Sequence, residues 1–161
     1  MRLRISSREY QQRVDALRQM VKQSGLDLFL VSSFDSIYYL TGAGFEPLER
    51  PFFLLVRPAS PPVLLVPKLD HEHMKKADAI HDENILTYWD YPAPEQQGWP
   101  HRLRELIGGD RPIGVEPTVR REITDQLQTY SLRTEPLIEA LRLVKSPTEI
   151  EMVRRAARYT D

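Results

Sequence analysis

The residues best suited to ligand binding lie in one short segment, Phe45–Pro51. It contains two carboxylates, Glu46 and Glu49, and one guanidinium, Arg50. An arginine can form a forked pair of hydrogen bonds with the carboxylate of a peptide or with a neighbouring aspartate. The alternative is a local Arg–carboxylate pair at the surface, which stabilises a fold by only about 0–1 kcal/mol. Glu46, Glu49 and Arg50 are therefore the candidate ligand-site residues, and both interpretations stay open.

A histidine pair, His71 and His73, has the residue types of a metal site but a different spacing from H-E-x-x-H, which puts both rings on one helical face. In a helix these two side chains would point about 200° apart and could not share an ion, whereas in a strand they could. The polar neighbours favour an exposed helix. We predict no metal ligands in the chain, and a self-contained hydrolase that uses these histidines is the remaining alternative.

Aromatic residues surround a proline-rich segment at residues 90–100, namely Tyr88, Trp89, Tyr91 and Trp99. Aromatic side chains on a loop can line a surface for a substrate or a protein partner. They can equally fix the loop onto the sheet beneath it. The sequence leaves these two interpretations open.

Motifs of several enzyme classes are missing from the sequence. It contains no G-x-S-x-G, no GxxxxGK[ST] and no GxGxxG, and it has no cysteine. Without cysteine, disulfides, thiolate metal sites and cysteine nucleophiles are excluded. The sequence therefore contains no motif of these enzyme classes.

Charge and hydropathy argue against two kinds of partner. The 22 basic and 23 acidic residues leave a net charge of −1, whereas binding to nucleic acid needs a basic excess or stripe. No apolar run approaches the roughly 18 residues of a membrane span, and the first residues do not resemble a secretory signal. We expect a cytoplasmic protein that binds neither nucleic acid nor a membrane.

Apolar runs and helical periodicities alternate along the chain and predict the scaffold for these residues. Predicted strands cover residues 26–31, 52–56, 63–66, 85–89, 112–116 and 131–134. Predicted helices cover residues 36–40, 69–79, 101–107, 118–129 and 136–143, after an opening helix that begins at a Ser6 capping box and stops at Gly25. The second and third strands should form an antiparallel hairpin. The pattern predicts an α/β fold, a mixed β-sheet flanked by helices.

The end of the sequence contains a strong helix start. Ser146, Pro147 and Glu149 have the positions of an N-cap, a first-turn proline and the partner of a capping box. No glycine, asparagine or proline then ends the helix before Asp161. We expect residues 1–143 to form one domain. Residues 144–161 would be a linker and the start of a helix that continues into a larger protein, and the alternative is a C-terminal helix that frays.

Three stretches, in the correct order, resemble the N-terminal domain of the creatinase/prolidase family. They are Tyr38–Gly42, the pair of Glu49–Pro51 with Val66–Pro67, and Leu141–Ile150 continuing to Arg154–Ala157. The resemblance implies a ribonuclease H-like α/β domain followed by a pita-bread catalytic domain. Residues 144–161 would be the linker and the first helix of that second domain, so the resemblance implies that this chain contains no catalytic residues. In such proteins the second domain binds two divalent metal ions through two Asp, one His and two Glu, and the metals activate a water that attacks an amide carbon.

The resemblance also implies a homodimer that acts on peptide substrates, as an Xaa-Pro dipeptidase or aminopeptidase, or on creatine. In prolidase-like dimers the loop at Glu46–Arg50 can reach the active site of the partner subunit. Where some relatives have histidine in this loop, the sequence has Leu48. A binding module on a catalytically inactive peptidase scaffold is the alternative function, because a fold does not dictate an activity.

Overall fold

The computed structural model describes residues 4–46 and 49–159, which contain a six-stranded β-sheet with helices on both faces. The strands are β1 (Leu28–Val31), β2 (Phe53–Val56), β3 (Val63–Pro67), β4 (Ile85–Tyr88), β5 (Ile113–Val115) and β6 (Leu132–Thr134). The helices are α1 (Ser7–Gln23), α2 (Phe34–Thr41), α3 (His71–Met74), α4 (Trp99–Ile107), α5 (Arg121–Asp125), α6 (Leu137–Leu143) and α7 (Pro147–Ala157). Pro47 and Leu48 lie outside the described residues. Leu48 is the position at which some relatives have histidine.

The strand order is β4-β3-β2-β1-β5-β6. Strand β2 pairs antiparallel with β1 and β3, while the β3–β4, β1–β5 and β5–β6 pairs are parallel. Within this sheet β2 therefore runs opposite to the other five strands. The predicted mixed sheet and the predicted β2–β3 hairpin are confirmed, and β6 lies at one edge.

Alternation along the central strands creates two cores. Phe29 and Val31 of β1 pack on one face with residues of α1, α2 and α6, whereas Leu28 and Leu30 pack on the other face with residues of α4 and α5. All four side chains are fully buried because both faces of the sheet are covered. The short, continuously apolar runs of the sequence follow from this arrangement.

Two helices are shorter than the sequence predicts. At residues 69–79 the chain forms a 3₁₀ turn at Lys68–Asp70, then the single turn of α3. At residues 118–129 α5 covers five residues, and the amides of Gln126 and Leu127 bond to carbonyls three positions earlier. Such i to i−3 bonds tighten the backbone into turns that do not extend as an α-helix.

Helix α1 begins at Ser6 as predicted, but only half of the predicted capping box is present, because the Glu9 carboxylate accepts hydrogen bonds from Arg13 and Ser146. The Ser6 side chain accepts a hydrogen bond from the Glu9 amide. Helix α2 ends at Gly42, whose φ is +70° and whose missing Cβ would lie 2.7 Å from the Tyr10 ring. This close approach requires glycine and directs the following segment toward β2. Among the described residues, no helix is both long and apolar enough to cross a membrane.

Candidate functional site

Polar residues converge at one edge of the sheet. Strands β1, β3, β4 and β5 all run toward this edge, and β2 starts from it. The edge therefore gathers Ser33 after β1, Arg50 before β2, Asp70 after β3, Asp90 after β4 and Glu116 after β5. Crevices outside the carboxyl ends of strands are the usual ligand sites of open α/β sheets.

Arg50 lies between two aspartates, and we call these three residues the Arg50 cluster. Its Nη1 is 3.7 Å from Asp70 Oδ2 and 3.6 Å from Asp90 Oδ2, which is longer than a hydrogen bond. Asp70 Oδ2 and Asp90 Oδ1 are buried and have no hydrogen-bond partner among the described residues. The cluster contains one cation and two carboxylates, so its net charge is −1 and its hydrogen-bonding capacity is incompletely used.

Tyr88 anchors the chain next to this cluster. Its side chain is buried, and its hydroxyl donates a hydrogen bond of 2.9 Å to the Pro51 carbonyl. Burial raises the pKa of Tyr88 well above its ordinary value, and the nearby Asp90 carboxylate adds to the increase. Tyr88 therefore stays protonated near neutral pH and holds the chain immediately after Arg50.

A pocket of about 290 Å³, which we call the aromatic pocket, opens beside the Arg50 cluster. Its lining residues are Glu49, Arg50, Pro51, Tyr88, Trp89, Asp90, Tyr91, Ala93, Gly98 and Trp99. Trp99 also packs on Phe53 of β2, with ring centroids 5.5 Å apart, so it does fix the loop onto the sheet. Tyr91 is 99% exposed and Trp89 43% exposed, which leaves these two rings available to a ligand or partner.

On the other side of Arg50 lies a smaller pocket of about 190 Å³, whose lining includes Ser33, Arg50 and Arg120. The buried Glu116 carboxylate accepts hydrogen bonds from the Ser32 amide (2.6 Å), the Ser33 amide (3.0 Å) and the Ser33 hydroxyl (2.8 Å). These donors lie at the start of α2, where a helix favours negative charge. Glu116 thus ties β5 to α2.

The three candidate residues of the sequence occupy different surroundings. Glu46 and Glu49 are exposed, Glu49 lines the aromatic pocket, and Arg50 lies in the Arg50 cluster. The sequence left two partners open for Arg50, a peptide carboxylate or a neighbouring aspartate, and in the structure its neighbours are two aspartates. Sequence reasoning missed Asp70 and Asp90. Each of them lies just after a predicted strand, and this position was the signal that could have identified them. Using that signal required the directions of the strands, which were not known from the sequence.

The two histidines face different partners. A ring nitrogen of His73 is 2.8 Å from the Gly44 carbonyl, while His71 lies 3.2 Å from Glu72. Lys75 hydrogen-bonds to Glu72 and holds the pKa of that carboxyl below its usual value. Across residues 4–46 and 49–159, no three His, Cys, Asp or Glu side chains form a group that could hold a metal ion.

A second arginine, Arg13 of α1, connects the domain to α7, and we call its contacts the Arg13 network. Arg13 donates to the Tyr39 carbonyl (2.7 Å) and to Glu9 (2.9 Å), and its Nη2 lies 3.1 Å from Glu149. The Ser146 hydroxyl donates to the same Glu9 oxygen at 2.7 Å. Arg13 is only 9% exposed.

The capping box predicted at the start of α7 is present. The Ser146 hydroxyl accepts from the Glu149 amide, and the Glu149 carboxylate accepts from the Ser146 amide at 2.7 Å. No residue of α7 within the described part is buried. The Arg13 network and the capping box are therefore the main attachments that fix the start of this helix.

Three comparisons with known proteins agree with this architecture. The chain is 26% identical over 150 residues to an uncharacterized peptidase of Staphylococcus epidermidis, covering 92% of this chain and 41% of that protein. Its structure resembles dipeptidase PepE from Mycobacterium ulcerans with a TM-score of 0.72 and 21% identity, covering 92% of this chain and 40% of the other.

A third structure, the creatinase/prolidase N-terminal domain of an X-Pro dipeptidase from Streptococcus pyogenes, gives a TM-score of 0.67 and 23% identity. That match covers 83% of this chain and 98% of the other. The chain thus spans about two fifths of the curated relatives it matches. The sequence profile of the creatinase/prolidase N-terminal domain matches residues 13–144. The chain belongs to the creatinase/prolidase N-terminal domain family.

Proposed function

We propose that the chain is the non-catalytic N-terminal domain of an Xaa-Pro dipeptidase or aminopeptidase, in which Glu46–Arg50 caps the active site of a partner subunit in a homodimer. The observation that carries this proposal is the position of Arg50 at the carboxyl edge of the sheet. Arg50 makes only long ion pairs there and donates no hydrogen bond among the described residues. Its guanidinium N–H groups are therefore free to bind a peptide carboxylate.

Metal chemistry is not assigned to residues of this chain. The described His, Asp and Glu side chains do not group as a metal site, so they do not fit the pair of divalent ions that the family implies. Those ions would be held by the two Asp, one His and two Glu of a catalytic domain. The contribution of this chain would be to bind and orient the peptide and to support the dimer.

The decisive experiment is subunit complementation in a full-length protein that carries this domain. One subunit has Arg50→Ala and an intact metal site; the other has Arg50 and an inactivated metal site. If Arg50 acts across the dimer, the equimolar mixture regains about one quarter of wild-type turnover of an Xaa-Pro dipeptide, because about half of the dimers are mixed and each of these has one complete site of two. As a control, the subunit with the intact metal site has Glu95→Gln instead of Arg50→Ala, which removes one charge from a different loop.

Two results would contradict the capping role. If the mixture stays inactive although Arg50→Ala alone is impaired, Arg50 acts within its own subunit. If Arg50→Ala leaves turnover unchanged and the full-length protein is monomeric, both parts of the proposal fail.

The alternative, a protein-binding module on an inactive peptidase scaffold, is favoured by one observation. Trp89 and Tyr91 expose aromatic surface beside the candidate segment, and aromatic residues are enriched at protein interfaces. A full-length protein that turns over no Xaa-Pro peptide when supplied with divalent metals would support this alternative.

A further inference from the structure

The aromatic pocket combines apolar walls with an acidic end. Trp89, Tyr91 and Trp99 supply the rings, while Glu49 and Asp90 supply carboxylates. A volume of about 290 Å³ can hold one long side chain but not a cofactor. The pocket therefore suits a single group with an apolar stem and a polar head.

The charge at the acidic end is unbalanced. Arg50 is shared by Asp70 and Asp90 through contacts of 3.7 and 3.6 Å, and it can neutralise only one of them. Asp90 Oδ1 is buried and lacks a hydrogen-bond partner among the described residues. Burying a charged oxygen without a donor is unfavourable, and the Asp90 side chain as a whole is 31% exposed, so a cation that reaches this carboxylate from the pocket would be stabilised.

Trp89 already attracts a cation in the structure. The Lys68 Nζ lies 3.7 Å from the centroid of the Trp89 ring. Tryptophan is the best cation–π partner among the aromatic residues, and arginine stacks on it readily. Lys68 does not line the pocket, whereas the Trp89 ring does, so this ring is a surface on which a second cation could stack.

We propose that the aromatic pocket binds an organic cation, the ammonium or guanidinium group of a peptide, with Trp89 as the stacking surface and Asp90 as the counterion. The apolar stem of the ligand would lie along Trp99 and Ala93. All of these groups belong to this chain, so such binding does not depend on the proposed peptidase activity.

The chain offers a direct reporter for this binding. Its only two tryptophans, Trp89 and Trp99, both line the pocket. In ¹H–¹⁵N NMR spectra, both indole N–H signals should shift on titration with N-acetyl-arginine amide, with a dissociation constant on the order of 1 mM that weakens with added salt. Leucine amide, which carries only an N-terminal ammonium, distinguishes that cation source from a side chain. N-acetyl-leucine amide is the uncharged control.

Two variants test the assignment. Asp90→Asn should weaken binding of the cationic probe about tenfold, because it removes the counterion, while Glu95→Gln, which removes a charge from an exposed residue of the same loop, should leave it unchanged. Trp89→Leu, at a partly exposed position that tolerates replacement, should weaken binding independently of the charge. Saturable binding of either cationic probe with these variant effects supports the proposal. Equal binding of N-acetyl-leucine amide, or no saturable shift with any probe, overturns it.

Discussion

Arg13 and Arg50 each face two carboxylates, yet their surroundings differ. Arg13 is nearly buried and lies 2.7–3.1 Å from its acceptor oxygens. The Ser146 hydroxyl donates a further hydrogen bond to Glu9. Arg50 lies 3.6–3.7 Å from its aspartates, and two of their oxygens have no hydrogen-bond partner among the described residues. The same residue types thus form a closed network at one place and an open cluster at the other.

The difference separates structural from ligand-binding roles. Buried polar groups in folded proteins are normally hydrogen-bonded, so a fully satisfied network stabilises the fold and leaves nothing for a ligand. Unsatisfied groups beside a pocket cost stability and are retained where a ligand or partner completes them. The contacts of the Arg13 network attach α7 to the domain, whereas for the Arg50 cluster we propose ligand binding.

The largest effect should come from Arg13→Ala. Removing the buried guanidinium leaves Glu9 and Glu149 facing each other and the Tyr39 carbonyl without its donor, which should lower the free energy of unfolding by about 3 kcal/mol. Urea denaturation measures this loss. Arg121→Ala, at a side chain that is 92% exposed, is the matched control and should change stability by less than about 0.5 kcal/mol. An effect of Arg13→Ala no larger than that of Arg121→Ala would show that the Arg13 network does not stabilise the fold.

Tyr88→Phe should have the next largest effect. It leaves the Pro51 carbonyl without its donor and should cost about 1.5 kcal/mol at pH 7. Because burial raises the pKa of Tyr88 above its ordinary 10.0, the unfolded chain loses this proton at a lower pH than the folded chain. The wild-type protein therefore loses stability as pH rises above 10.0.

The phenylalanine variant lacks this proton, so its stability difference from wild type should shrink on going from neutral to alkaline pH. Urea denaturation at both pH values measures the change. A difference that stays constant with pH would show that the Tyr88 hydroxyl is not held protonated by burial.

Ser146→Ala should weaken only the start of α7, by about 1 kcal/mol, because it removes the N-cap and the bond to Glu9. Hydrogen exchange at the first amides of α7 is the appropriate measurement, since this helix contributes no buried residue. Thr148→Ala, in the same helical turn, is the control. If exchange is unchanged in Ser146→Ala, the Arg13 network does not hold α7.

Arg50→Ala should have the smallest effect on folding, within about 1 kcal/mol of wild type, because long and partly exposed ion pairs contribute little. Urea denaturation alongside Arg13→Ala compares the two arginines directly. A loss as large as that of Arg13→Ala would mean that Arg50 has a structural role after all.

Local patterns in the sequence were enough to predict the scaffold. The apolar runs of the six strands, the Ser6 and Ser146 caps and the stop at Gly25 depend on neighbouring residues, and the structure contains each of them. The family resemblance rested on equally local motifs. Helix length was predicted less well at residues 69–79 and 118–129, because i to i−3 backbone bonds end these helices as tight turns, which side-chain periodicity does not record.

Only the tertiary structure decided which charged groups meet. Asp70, Asp90 and Arg50 follow or precede different strands and come together because β2 runs against its neighbours in a particular strand order. Glu149 reaches Arg13 because the chain returns from β6 to α1. Periodicity records which face of an element is apolar, but strand order results from packing of the whole chain. Sequence analysis therefore identified Arg50 as a candidate, and the structure supplied its partners.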